Sequence, residues 1–451
     1  MKKMRHTAPH LTHHSSLITH HSSLITYHSS LLLLLLLLAS CGAPQKHKQY
    51  DPAKVNFTAQ VNPLFDGHLY PSLILALSQE STPLSNAGGA PALHAPLTLS
   101  VTAPANNAVL RIVVDSSDLN YVTILQEILP ARGETYTFTP AVKWKYDRLR
   151  LVRQHRPLDL TLTCYINDEE TDIRNLHIDI RSVNECPLSF RQSDKSNSQT
   201  AKQPSNNNIV DTRFLFAAYV NEEHPQIPQI LSDALSEGVV TRFQGYQAGT
   251  KADVQKQVLA IWHNTLLRGL SYSSISCTSN PSPTTNVQHI RFFDEVWNTR
   301  QANCIDACVY LASILRKIGL RPVIFVEPCH AYLGYYTDKK QKNIALLETT
   351  VTSWVNYPDL LRNLDPEGYL PEEQLQKIAK YLTPKQLQDY ADRRITTEQL
   401  LVLVSTSLFD KASTYNQETY QNNRQHFADP NAITFQQLDI ETLRQTVQPI
   451  N

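Results

Sequence analysis

The stretch Asn303-Cys304-Ile305-Asp306-Ala307-Cys308-Val309-Tyr310-Leu311-Ala312-Ser313-Ile314-Leu315-Arg316-Lys317-Ile318-Gly319 decides the reading of this chain. Cys304, Cys308, Leu311, Ala312, Leu315 and Ile318 recur at helical spacing on one stripe, and Gly319 is a natural C-terminal stop. The pattern predicts a helix with Cys304 in its first turn. At that end the unpaired backbone N–H groups and the positive pole of the helix dipole favour thiolate over thiol, and the Cys304 amide is a candidate oxyanion donor.

Reading onward, Pro322 to Val326 is a buried strand, and His330 to Tyr336 is a second in which His330, Tyr332 and Gly334 share a face. The charged run Asp338, Lys339, Lys340 and Lys342 marks a loop, after which Ile344 to Leu347 forms a third strand ending at Glu348. A hairpin about that loop makes His330 and Glu348 direct or diagonal cross-strand neighbours. The order is a thiol, a base and an orienting carboxylate. Cysteine-nucleophile chemistry needs those three roles: the thiolate attacks an acyl carbon, the imidazole carries the proton, and the acid fixes its tautomer and orientation.

Two other readings of these residues compete. A cysteine on an apolar helix face is more often core than nucleophile, and Cys308, one turn behind Cys304, fits that description. Cys304, Cys308, Cys329 and His330 can also be written as a zinc set, but adjacent residues in extended chain point to opposite faces, so Cys329 and His330 ligate one ion only through a turn or bulge. The expectation is therefore no metal and no cofactor.

The ordered motifs Asn303-Cys304-Ile305-Asp306, Ala312-Ser313-Ile314-Leu315-Arg316-Lys317-Ile318-Gly319-Leu320-Arg321-Pro322, Pro328-Cys329-His330-Ala331 and Leu347-Glu348-Thr349-Thr350 resemble bacterial members of the transglutaminase-like, papain-like cysteine superfamily. The likeness extends upstream to Ala218-Tyr219-Val220-Asn221-Glu222-Glu223-His224-Pro225 and Gly245-Tyr246-Gln247, and downstream to Phe409-Asp410-Lys411-Ala412, covering about the last half of the chain. It implies an α+β fold with Cys304, His330 and Glu348 as a triad acting on amide bonds through a thioester. In one departure, Cys329 stands where the family pattern has a glycine, which is expected to alter the turn or crowd the thiol pocket. Trp297, Gln301 and Gln288 precede the nucleophile and are candidate indole or amide donors to an oxyanion, each also readable as structural.

At the other end, Lys2, Lys3 and Arg5 form a positive region, Leu31 to Leu38 an apolar core, and Leu38-Ala39-Ser40-Cys41 matches a lipobox. Eight leucines are too few to span a bilayer, which takes roughly 20 apolar residues. The expectation is a leader over 1–40, lipidation at Cys41, and a membrane anchor in the cell envelope facing the periplasm. The copied heptad His13-His14-Ser15-Ser16-Leu17-Ile18-Thr19 within the leader carries no mature function.

Lysine plus arginine balances aspartate plus glutamate at 41 each, so no basic field argues for a nucleic-acid partner. After a tether over 41–54, residues 55–190 hold short alternating segments at Leu97 to Val101, Val109 to Val114, Thr135 to Phe138, Leu158 to Tyr165 and Ile173 to Ile180, which predict a β-sandwich. Export permits disulfides, and Cys164 with Cys186 is the pair to test. A polar linker covers 191–208. In the transglutaminase-like domain, 209–451, Val254, Val258, Ile261, Trp262 and Leu266 predict an amphipathic helix near the Cys304 helix. Ser276 to Asn286 reads as a loop over the cleft. Tyr357 through Leu408 reads as short helices broken at Pro371 and Pro384, and Ile433 to Ile440 as a returning strand. The composite expectation is an exported α+β lipoprotein whose substrate is a peptide or protein of the cell envelope. The alternative is a non-catalytic binding or scaffolding lipoprotein that keeps the fold.

Overall fold

Alternating apolar side chains build the N-terminal half. In β3 (Leu97–Thr102) and β4 (Ala108–Val114) every second residue is buried, so each strand has one face toward the core. The computed structural model describes residues 55–78, 93, 95–191, 209–274, 282, 284–429 and 432–450. The leader, Cys41, the tether, Cys277 and nearly all of the polar stretch 191–208 lie outside them. The described residues form an α+β fold.

The sandwich has two sheets. β1 (Phe57–Val61), β3 and β6 (Thr135–Phe138) form the smaller, in the order β1-β3-β6. β2 (His68–Leu69), β5 (Thr123–Leu129), β7 (Arg156–Ile166) and β8 (Glu169–Ile180) join β4 in the larger, ordered β2-β8-β7-β4-β5. The next strand, β9 (Glu185–Arg191), belongs to a third sheet, where it pairs antiparallel with both β10 (Ile209–Asp211) and β12 (Thr285–His289). The supposed loop over the cleft is thus in part a strand, because Thr285 to His289 find their backbone partners on β9. Cys164 and Cys186 are buried free thiols: one lies in β7 and the other in β9, so the two sit in different sheets and form no disulfide.

The C-terminal half is arranged about the Cys304 helix, Cys304–Lys317, and a four-stranded antiparallel sheet ordered β16-β15-β14-β17. β14 is Pro322–Glu327, β15 is His330–Tyr336, β16 is Ile344–Leu347 and β17 is Gln436–Asp439. Val323, Phe325, Tyr332 and Leu346 form a buried cluster on one face of this sheet. A side chain at Gly334 would put its Cβ 2.6 Å from the Phe325 ring, so only glycine lets Phe325 lie across β15 and stack on Tyr332.

The helix Lys251–Leu267 forms where expected, but it packs chiefly against Ile227–Ser236 and Thr397–Tyr415 rather than against the Cys304 helix. Its polar Gln257, His263, Asn264 and Thr265 are buried together with its apolar stripe, so it is a core helix and not an amphipathic one. Pro371 and Pro384 stand at helix starts, as expected from their missing N–H. Among the described residues no helix is long and apolar enough to cross a membrane.

Candidate active site

Cys304 is the first residue of its helix because Asn303 and Asp306 close a capping box. The Asn303 side chain accepts from the Asp306 N–H at 2.9 Å, and the Asp306 carboxylate accepts from the Asn303 N–H at 3.0 Å. Asp306 is fully buried, and its remaining capacity goes to Arg291, whose backbone N–H and guanidinium donate at 2.8 and 2.6 Å. Burial pushes the Asp306 carboxyl upward, and the bonds from Asn303 and Arg291 oppose that shift. The box takes the Asp306 N–H, while Ala307 donates to the Asn303 carbonyl. The Cys304 N–H finds no acceptor among the described residues, so one first-turn donor stays free beside the thiol at the positive end of the helix.

His330 arrives on β15 after a tight hairpin from β14. Glu327 pairs with His330, so Pro328 and Cys329 are the two turn residues. Cys329 has φ of +66°, in the left-handed region that the second turn position demands after proline. Its thiol is solvent-exposed, so the glycine replacement keeps the turn and does not crowd the nucleophile.

β15 and β16 pair with Leu333 opposite Leu347, which puts Glu348 diagonally across from His330. The imidazole Nε2 lies 2.8 Å from Glu348 Oε2. Glu348 is completely buried, and four donors satisfy it: His330 and the Asn416 amide at one oxygen, the Thr350 N–H and hydroxyl at the other. Burial alone would raise the Glu348 carboxyl, but the His330 and Thr350 hydrogen bonds outweigh it and hold the group below the ordinary carboxylate range.

With Nε2 committed to Glu348, Nδ1 is the nitrogen left for Cys304. The hydrogen bond to the Cys304 thiol, then that to Glu348, pushes the His330 pKa up to about 10 against the cost of burial. The arrangement therefore stores a proton on the imidazole across the neutral range. Cys308 is the opposite case: burial drives its thiol well above the ordinary range, and it faces Thr349 at 4.0 Å.

The three suggested oxyanion donors differ in their surroundings. The Gln288 amide donates to the His289 carbonyl at 2.9 Å, on β12 opposite Cys186. Arg268 covers the Trp297 ring at 3.2 Å. Gln301, on β13 (Gln301–Ala302), is exposed three residues before the thiol.

Two neighbours escaped the sequence reading. β11 (Ser271–Tyr272) runs parallel to β13 and sets Tyr272 beside Ala302; burial, then the charges of Cys304 and Glu348, push its phenol upward. Asn416 ends the helix Thr397–Tyr415, where it continues the buried series Leu400, Val404, Leu408, Ala412 at intervals of four. A polar residue extending such a ladder was the legible signal. The upstream motifs brace this half: the Asn221 N–H donates to Ser313 on the Cys304 helix at 2.9 Å, and the Tyr246 hydroxyl accepts from the Arg321 N–H at 3.0 Å while donating to the Tyr336 carbonyl, tying the start of β14 to the end of β15.

No family model matches the chain, and a search of curated proteins finds no significant match. Among solved structures, it is similar to a candidate protease from Parabacteroides distasonis at 11% identity and a TM-score of 0.18, covering 53% of this chain and 60% of that one. The chain thus spans less than two thirds of that protein's length.

Proposed function

We propose that the chain is a transglutaminase-like cysteine enzyme that cleaves or transfers acyl groups at peptide or side-chain amides, held at a bacterial envelope membrane by a lipid on Cys41. The observation that carries this reading is the contact sequence from Cys304 at a helix N-terminus, to His330, to the buried Glu348 at 2.8 Å.

The Cys304 sulfur attacks the amide carbonyl, and the oxyanion that forms faces the Cys304 N–H. The His330 imidazolium gives its proton to the leaving nitrogen, the C–N bond breaks, and a thioester with a free amine results. His330, now neutral, takes a proton from water or from an acceptor amine as that nucleophile attacks the thioester. The sulfur leaves with the C–S electron pair, and Cys304 and His330 return to their starting state. Glu348 holds the ring in one orientation and stabilises its positive form.

The test is the pH dependence of iodoacetamide labelling, mapped by mass spectrometry, in protein without its leader. Cys304 is expected to label fast well below pH 8 and to slow on the order of 100-fold in His330→Ala. Cys329, exposed on the turn that precedes His330, is the internal reference. Labelling of Cys304 no faster than Cys329, or unchanged by His330→Ala, would replace this reading with that of a binding lipoprotein.

A further inference from the structure

Three of the most exposed large aromatic side chains among the described residues are Tyr272 (43%), Trp354 (43%) and Tyr415 (58%). All three gather along the 3-10 turn Thr349–Ser353 that follows Glu348. β11, which carries Tyr272, packs on that turn; Trp354 caps its end; and the Tyr415 ring lies 6.1 Å from the Trp354 ring. Trp354 also lines a cleft of about 580 Å³ with Lys380, Tyr381 and Lys411. Lys380 sits 5.1 Å from the Tyr381 ring, and among the described residues no acid lines the cleft.

A solvated lysine or a single exposed ring is ordinary surface. Here both kinds of residue share one concavity, and its walls are chained to the groups that hold Glu348. Lys411 precedes Ala412, whose carbonyl accepts the Glu348 N–H at 2.9 Å. Tyr415 precedes Asn416, whose amide donates to Glu348 at 2.6 Å. Trp354 lies six residues beyond Glu348, roughly 12 Å at the 3-10 rise, which an extended peptide covers in about four residues.

Resting on the reading of Cys304 as an amide-directed nucleophile, we propose that this cleft is a substrate subsite for an acidic peptide segment. Lys380 and Lys411 take its carboxylates, and Trp354 and Tyr415 take its apolar parts. Charge complementarity selects an anion. The chemistry of the dyad, directed at an acyl carbon, selects a peptide over an acidic glycan.

The experiment titrates two fluorescent peptides, identical but for Glu or Lys at the flanking positions, into the chain carrying Cys304→Ser, so that binding is read without turnover. The Glu peptide is expected to bind about tenfold tighter. Lys380→Glu with Lys411→Glu should invert that order, and Trp354→Ala should weaken both peptides. Equal affinities, a preference that survives charge reversal, or binding of polygalacturonate but not of the Glu peptide would overturn the proposal. Iodoacetamide labelling of Cys304 in the parent chain is read alongside. An unreactive Cys304 beside intact acidic selectivity would remove the enzyme reading and leave the cleft standing as a binding site.

Discussion

Two histidines of this chain sit in hydrogen-bonded networks and have been driven in opposite directions. His330, partly open to solvent, has Glu348 at 2.8 Å and Cys304 on its other side, and its pKa rises to about 10. His263, 1% exposed, bonds Ser405 Oγ at 2.7 Å, while its nearest carboxylate, Glu237, stays at 3.9 Å; burial pulls its pKa down to about 4. By composition, Ser405, His263 and Glu237 mimic a serine triad. Yet Ser405 is wholly buried and shares its hydroxyl with Tyr357 at 2.8 Å, so no substrate reaches it and the network only ties helices together. What separates the two imidazoles is a carboxylate at hydrogen-bond distance and a thiol beside the ring in one case, against burial with a hydroxyl as the hydrogen-bond partner in the other.

The most damaging way to erase that difference is Glu348→Gln. The amide keeps the shape of the carboxylate and removes its charge, so His330 should fall from about 10 while keeping the part of the rise that Cys304 supplies. Less imidazolium would then stand beside Cys304 above neutrality. The expected fall in iodoacetamide labelling rate at pH 8 is on the order of 100-fold, with His263→Leu leaving the rate unchanged. Equal rates in the parent and Glu348→Gln would show that the carboxylate does not tune the imidazole.

A milder test uses stability, where the two histidines have opposite signs. The His263 pKa is lower folded than unfolded, so its contribution is whole above about 6.5 and is lost as pH falls toward about 4. The His330 pKa is higher folded than unfolded, so its contribution is whole below about 6.5 and is lost as pH rises through about 10. The lowered carboxyl of Glu348 adds a loss on the acid side that begins only near 4.5. Urea midpoints from pH 4 to 10 should therefore trace a dome. His263→Leu should flatten its acid limb between 6.5 and 4.5, and His330→Gln its alkaline limb. If either variant flattens the other's limb, the assignment of environments is wrong.

The dyad was legible because a hairpin converts sequence spacing into cross-strand distance, and the charged loop at Asp338 to Lys342 fixed where the hairpin turns. The strands β3, β4, β6, β7 and β8 were legible through alternation. β9 was not, since Glu185-Cys186-Pro187 opens it with three buried residues in a row and its acid is paired inside with Arg181. β12 was hidden by its polar Thr-Asn-Val-Gln-His, whose place in a sheet depends on β9 and on a register shift at Asn286. Tyr272 and Asn416 reach the site from distant segments, so no local spacing could join them to Cys304. The helix Lys251–Leu267 was found but its packing was misjudged, because periodicity reports which face is apolar and not which partner covers it.

The smallest effect concerns the turn that delivers His330. Glu327 and His330 pair on either side of Pro328 and Cys329, and Cys329 holds φ of +66°, where an L side chain crowds its own backbone. His263 lies inside a regular helix and bears no such strain. Cys329→Gly should therefore stabilise the fold by about 1 kcal/mol, read as a higher urea midpoint at unchanged slope. Because the Cys329 thiol is exposed, its loss should not change the labelling rate of Cys304. Glycine also frees the unfolded chain, which subtracts a few tenths of a kcal/mol and makes the expected gain modest. A lower midpoint would mean that the Cys329 side chain itself supports the hairpin. A changed Cys304 rate would mean that it helps to set the orientation of His330.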